Sequence, residues 1–240
     1  MTDAHCHVSC GDPSVREFLI GRDFFGIHPW EAEELDGEDL RRKTEDLRSR
    51  LSSPVSGLSS PVSSPFLLPG VGEIGLDRLK RREVSPRMRE VFVAQLTLAF
   101  ELGRPVILHG AKCWGQVVKE IKNLEFRIRN CGNSTSNIYH SSFLFHGFSR
   151  SDGLIPDIVR LGGYISVGPA VLNDHAVNYR ELVKKIPPER LLVETDRTPE
   201  NASTCPSVRD VAAKVAELRG LALAELESLT DRNAEAFLTA

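Results

Sequence analysis

The sequence has no Cys-x-x-Cys pair, and its five cysteines (Cys6, Cys10, Cys113, Cys131 and Cys205) are scattered over 240 residues. A disulfide-dense secreted scaffold is thereby excluded, and a reducing, cytosol-like compartment is the simpler expectation. There is no excess of basic charge either: 30 Lys and Arg stand against 33 Asp and Glu, a formal net charge of -3. Bulk charge therefore cannot hold a nucleic-acid partner, which needs a local basic patch or metal ions. No apolar run approaches the length of a membrane span, so no membrane partner is expected. The opening residues MTDAH carry neither the basic nor the apolar segment of a secretory signal, and a cytoplasmic chain without a leader is expected.

Hydrophobic residues at 41% and charged residues at 26% lie near the globular average, so the chain can bury a sizeable core and disorder is not indicated. Short apolar runs recur: "TDAHC" at the start, "FFGIH" ending at His28, "PGVGEIGL" from Pro69, "PVILH" ending at His109, "FLFH" ending at His146, "GGYISVG" from Gly162 and "RLLVET" ending at Thr195. Runs that are apolar without alternation suit strands buried on both faces, as in a parallel sheet. Helical patterns lie between them at 31–51, 86–102, 114–124, 152–161, 173–186, 207–219 and 224–238. The alternation predicts an α/β protein, a TIM-like (β/α)8 barrel or, as the alternative, a doubly wound sheet. A single domain over 1–240 is expected. "SSPVSGLSSPVSSP", residues 52–65, has connector composition and is read as a flexible surface insertion.

His5 and His7 are two apart on a candidate strand and so project to one face, with Cys6 on the other. A lone His-x-His is weak evidence for a metal, but other candidates fall at matching places. Glu73 lies in an apolar strand, His109 and His146 close theirs, and Asp196 follows "LLVET". In a barrel these strand ends form the catalytic face, so six side chains able to bind metal are expected to converge there. Glu73 would bury a charge unless something compensates it, either a cation or a buried arginine. His109 and His146 taken singly are also readable as satisfied core histidines, a reading that weakens when they are taken together. Two cations bridged by one carboxylate, roughly 3.5–4 Å apart, are a common apparatus for phosphate-ester hydrolysis. Asp196 is suited both to ligation and to orienting or deprotonating a water.

The motifs "DAHCH", "GIHPW", "GEIGLD", "PVILHG", "FHGFSRS", "GGYISVG" and "ERLLVETD", in this order, resemble the TatD family of metal-dependent deoxyribonucleases within the amidohydrolase-like barrels. The resemblance runs from Asp3 to the C-terminal helices. It implies that His5 and His7 hold one metal, that Glu73 bridges two, that His109 and His146 hold the other, and that Asp196 is both ligand and catalytic group. It further implies Mg2+-dependent exonuclease action on single-stranded DNA or DNA ends. The His/carboxylate shell itself suits Mn2+ or Zn2+ better than Mg2+.

His28 belongs to the family pattern as well. It is read either as a contact to a substrate phosphate or support for the ligands, or as part of a strand cap in which Pro29 and Trp30 pack. Lys112, Arg150 and Arg197 are candidate phosphate contacts, with solvated surface charge as the alternative. Cys6 and Cys113 are expected to pack rather than react. Three features depart from the family: the interval between His7 and "FFGIH" is shorter, so one strand-helix unit is expected to be reduced or missing; "GAKCW" follows His109 where "SRDA" is common; and Arg197 follows "ETD". The rival readings are an amidohydrolase-type enzyme acting on C–N or ester bonds, and a catalytically inactive metal-binding homologue.

Overall fold

A computed structural model describes residues 1–52, 68–80, 82–130 and 141–239. The Ser/Pro-rich insertion falls outside them after Ser52, as does Cys131. In chain order the strands are β1 (Thr2–Cys6), β2 (Arg16–Leu19), β3 (Phe24–Phe25), β4 (Gly70–Asp77), β5 (Val106–Ala111), β6 (Phe143–Phe145), β7 (Gly163–Val167) and β8 (Leu191–Val193). The α-helices are α1 (Pro29–Ala32), α2 (Gly37–Leu51), α3 (Pro86–Leu102), α4 (Trp114–Asn130), α5 (Ile155–Arg160), α6 (Val177–Lys185), α7 (Val208–Arg219) and α8 (Leu223–Thr239). The expected α/β class with parallel strands is what the structure shows: β1 pairs with β2, β3 with β4, β4 with β5, and β7 with β8, each in parallel. Among the described residues no helix is long and apolar enough to cross a membrane.

Two compact units divide the chain: Met1–Gly21 with Leu144–Thr239, and Arg22–Phe143. In the first, β1, β7 and β8 are buried along their whole length, and α7 and α8 pack on one another and on β8. In the second, β4 is buried at all eight positions and is flanked by β3 and β5, with α1, α3 and α4 packed on it.

Local chemistry sets the helix limits. Ser85 accepts the N–H of Met88, Pro86 opens α3, and Gly103 ends it in the left-handed conformation, so the expected 86–102 helix forms over that span. Ser207 and Asp210 form a reciprocal capping box on α7. The single helix expected at 31–51 is two, because Asp36 accepts the N–H of Asp39 and starts α2 afresh.

The shortened region after His7 keeps its strand. β2 lies parallel to β1, with Thr2 opposite Arg16 and Cys6 opposite Leu19. Among the described residues no helix intervenes between β2 and β3. The unit expected to be reduced or missing has thus lost its helix and retained its strand.

Two strands that carry candidate ligands, β1 and β4, are irregular there. On β1 the step from Asp3 to Cys6 matches only the step from Glu17 to Leu19 on β2, and on β4 the step from Val71 to Ile74 matches Val106 to Leu108 on β5. One extra residue is accommodated on each, around His5 and around Glu73. Such bulges re-aim side chains that a regular pleat would alternate. Close approach of β4 and β5 just beyond Glu73 requires Gly75, where a Cβ would sit 1.9 Å from the His109 carbonyl oxygen and φ is +156°. Gly75→Ala is expected to cost about 3 kcal/mol through forced strand separation, a fall in Tm of roughly 6–12 °C for a chain of this size. A calorimetric melt checks it, and a Tm within a degree or so of the parent would refute the close-packing account.

Candidate functional site

In the unit Met1–Gly21 with Leu144–Thr239, β1 delivers His5 to a fully buried position and His7 just past the strand end. Their rings meet edge to face with centroids 5.0 Å apart. Asp196 follows β8, and its Oδ1 lies 3.4 Å from His5 Nε2 and 3.7 Å from His7 Nε2, with the side chain 50% exposed. His5, His7 and Asp196 offer ligating atoms that all lie within 4.8 Å of one another. His146, directly after β6, stacks on His5 with centroids 4.1 Å apart.

The backbone holds this arrangement from both sides. The Asp196 N–H donates to the His5 carbonyl (3.0 Å), and the N–H groups of His7 and Val8 donate to the Arg197 carbonyl (2.8 and 3.1 Å). Asp196 itself has φ +49°, a conformation non-glycine residues adopt at a cost and one that recurs at functional sites. Lys112 (φ 58°) and Arg150 (φ 56°) share it, and both are exposed.

Two buried acids support the histidines. Asp3 accepts the Thr195 N–H (3.0 Å) and hydroxyl (2.6 Å), tying β1 to the turn that carries Asp196. Burial raises its pKa to about 7 against the lowering effect of those hydrogen bonds. Glu194 accepts the Gly147 N–H (2.7 Å) and the Ser166 hydroxyl, and its Oε1 lies 3.9 Å from His146 Nδ1. Burial pushes its pKa to about 7 as well, with the Asp196 charge adding to the rise and His146 opposing it.

In the unit Arg22–Phe143, the bulged β4 places Glu73 with its Oε1 2.5 Å from His109 Nδ1 and 3.8 Å from His28 Nε2. Asp77, four residues along the same strand, approaches the other ring nitrogen of His109, with Oδ2 2.8 Å from Nε2. Burial alone would raise Asp77, but hydrogen bonds from His109, the Leu79 N–H and the Trp30 indole, together with the attraction of His109, hold its pKa below the usual carboxylate range. His28, Glu73 and His109 form a second set of ligating atoms within 4.8 Å of one another.

His28 caps α1: its Nδ1 accepts the Trp30 N–H at 3.2 Å. In a neutral ring so engaged the proton resides on Nε2, which makes that nitrogen a donor rather than a metal ligand. The preceding Ile27 is clamped by buried Gln95 of α3, whose side chain accepts from the Ile27 N–H (2.6 Å) and donates to its carbonyl (3.1 Å).

Arg197, a candidate phosphate contact, makes hydrogen bonds within its own turn. Its guanidinium donates to the carbonyls of Ala202 (2.7 Å) and Cys205 (3.4 Å) and so braces the turn after Asp196. Cys113 is buried, donates to the Leu76 and Ala111 carbonyls, and is pushed by burial to a pKa of about 12, which leaves no thiolate at neutral pH. A surface cavity of this unit, about 670 Å3 between α3 and α4, includes Glu90, Glu120 and Phe126 in its lining but no histidine.

Asp3, Asp77, Glu194 and Gln95 were not singled out from sequence. The three acids carry the signal that marked Glu73, a carboxylate in an apolar strand or at its end, and lie within the quoted motifs. Gln95 carries no such signal, because a glutamine in an amphipathic helix is unremarkable until its burial is known.

The family model described as TatD related DNase matches residues 21–239. The "Uncharacterized metal-dependent hydrolase YcfH" of Escherichia coli is 28% identical over 218 residues, covering 87% of this chain and 70% of the relative. The "3'-5' ssDNA/RNA exonuclease TatD" of Klebsiella pneumoniae is 29% identical over 175 residues, covering 68% and 62% respectively. The crystal structure of YjjV, a TatD homologue from Escherichia coli, shares the fold, with a TM-score of 0.72 at 20% identity over 100% of this chain and 98% of that one.

Proposed function

The chain belongs to the TatD-related DNase family, and from that premise we propose that it is a divalent-metal-dependent hydrolase acting as an exonuclease on single-stranded DNA. One observation carries the reading: His5, His7 and Asp196 present ligating atoms within 4.8 Å of one another in one unit, and in the other Glu73 Oε1 lies 2.5 Å from His109 Nδ1. Nitrogen and carboxylate donors at that spacing fit a divalent ion, with Mn2+ or Zn2+ suited at least as well as the Mg2+ implied by resemblance. The printed name of the Klebsiella relative supports the substrate class.

His5, His7, His146 and Asp196 in one unit, and Glu73 and His109 in the other, would hold one or two such ions. When bound, a divalent ion supplies Lewis-acid stabilisation of the charge that builds on phosphoryl oxygens. Asp196, half exposed and flanked by two imidazoles, accepts the proton of the attacking water. Asp77 holds the Nε2–H of His109 and so fixes the tautomer that turns the Nδ1 lone pair toward Glu73. Glu194 stands behind His146 in the same supporting position. His28 presents its Nε2–H as a donor to a phosphate oxygen. Lys112 and Arg150 add charge for the same group.

The test is hydrolysis of a labelled single-stranded oligonucleotide, set beside nitrophenyl esters and small amides, with Mg2+, Mn2+ or Zn2+ and with chelator. Progressive shortening of the oligonucleotide that chelator stops is the expected result. Ester or amide turnover without oligonucleotide degradation would replace this reading with the amidohydrolase one. A metal-loaded protein inert toward every substrate would favour the inactive homologue.

A further inference from the structure

Beside the His28, Glu73 and His109 set lies a cleft of about 420 Å3 lined by Arg78, Leu79, Lys80, Arg82 and Lys112. Four of these five residues are cations, in a chain whose formal net charge is -3. The cations emerge from the strands that carry the candidate ligands: Arg78, Lys80 and Arg82 follow β4 with Glu73 and Asp77, and Lys112 follows β5 with His109.

The loop is pinned. Arg78 N–H donates to the Ala111 carbonyl (3.0 Å), Arg78 Nε to the Arg82 carbonyl (2.7 Å), and the Leu79 N–H to Asp77 (2.5 Å). Trp30 is 45% exposed, and Lys80 Nζ sits 3.8 Å from its ring centroid. The ring packs edge to face on His28 (4.9 Å), which packs likewise on His109 (4.8 Å). A large aromatic is thus held rigid in solvent, one ring away from His28 and against a cationic cleft.

We propose that Trp30 and the cleft of Arg78, Lys80, Arg82 and Lys112 form a track for single-stranded nucleic acid, in which Trp30 stacks a base and the cations contact successive phosphates. The track deepens the nuclease reading and rests on it for the identity of the strand. Positive grooves combined with aromatic platforms are how single strands are bound without sequence preference. A bare polyanion would gain from the cations and nothing from Trp30. A solvated basic loop, in which Lys80 merely pins the indole, would gain from neither.

Anisotropy titrations of a hydrolysis-resistant phosphorothioate oligothymidylate, with the full chain over a range of salt, separate these cases. Each cation replaced by alanine is expected to flatten the plot of log Kd against log salt by about 0.7, and all four together by roughly 2.8. Trp30→Ala is expected to weaken binding about 5- to 150-fold with the slope retained. Trp30→Phe should restore most of the loss, and an abasic strand should not distinguish Trp30→Ala from the parent. An unchanged salt slope in the four-cation variant overturns the track, as does equal binding of the normal strand by Trp30→Ala. If the parent degrades DNA and the four-cation variant does so with the same kcat/KM, the track is wrong while the hydrolase reading stands. If the parent degrades no nucleic acid with any metal, the nuclease reading fails and the titrations still judge the track.

Discussion

Glu73→Ala is expected to lower kcat/KM for oligonucleotide hydrolysis by at least about 10²–10³-fold, the scale of losing one preorganised electrostatic contact, and to deplete bound metal. Its Oε1 lies 2.5 Å from His109 Nδ1 and 3.8 Å from His28 Nε2. No other acid of the set replaces it, because Asp77 already engages the opposite nitrogen of His109. The fold should survive. Glu73 is 4% exposed, and a buried carboxylate is costly unless a cation compensates it. Removing it from the metal-free protein relieves that cost while it loses packing, so the metal-free Tm is expected to stay within a few degrees of the parent. Elemental analysis, steady-state kinetics and a melt on the same preparation separate loss of function from loss of structure. Unchanged metal content together with unchanged hydrolysis would remove Glu73 from the site.

Asp196→Asn is expected to lower kcat by about 10²–10⁴-fold, the usual contribution of a positioned general base. Asparagine is the informative replacement because it tolerates the φ of +49° that Asp196 adopts, whereas alanine would add backbone strain to the loss of the carboxylate. The backbone links remain: the residue 196 N–H still reaches the His5 carbonyl, and Asn201 still donates to the residue 196 carbonyl (3.3 Å). What disappears is the proton acceptor and the charge facing His5 and His7. A parent-like kcat with only KM altered would instead assign Asp196 to substrate binding.

The elements differ in how far they were readable from sequence. α3 forms over 86–102 because its start and stop signals, Ser85, Pro86 and Gly103, all act within a turn of the helix ends. β2 is not apparent as a strand in the sequence, since "REFL" contains two charges in four residues. Its Glu17 is buried, and it is satisfied by the Ser9 hydroxyl and the Cys10 N–H at 2.6 Å each. A buried acid whose partners lie in the preceding loop reads as a surface acid until that loop is placed.

The candidate ligands were the most legible part of the site. Histidines and carboxylates at the ends of apolar strands announce an uncompensated cost wherever those strands are buried, and that holds whatever the register. The supporting groups were not legible as such. Asp77 on His109, Glu194 behind His146 and Gln95 around Ile27 depend on which residues of neighbouring elements come opposite one another. The same limit applies to the basic cleft: Arg78, Lys80 and Arg82 form a visible run, while Lys112 lies in the next loop along and Trp30 on a short helix that His28 caps.

The sequence by itself determined the α/β class, the helix limits set by caps and glycines, and the types of side chain that the buried strands carry to their ends, since each depends on residues a few positions apart. Only the tertiary structure decided which nitrogen of His109 faces Glu73, how the bulges in β1 and β4 aim His5 and Glu73, and that Lys80 lies over Trp30. Strand register and loop approach set those contacts, and a shift of one residue would turn each side chain to the opposite face.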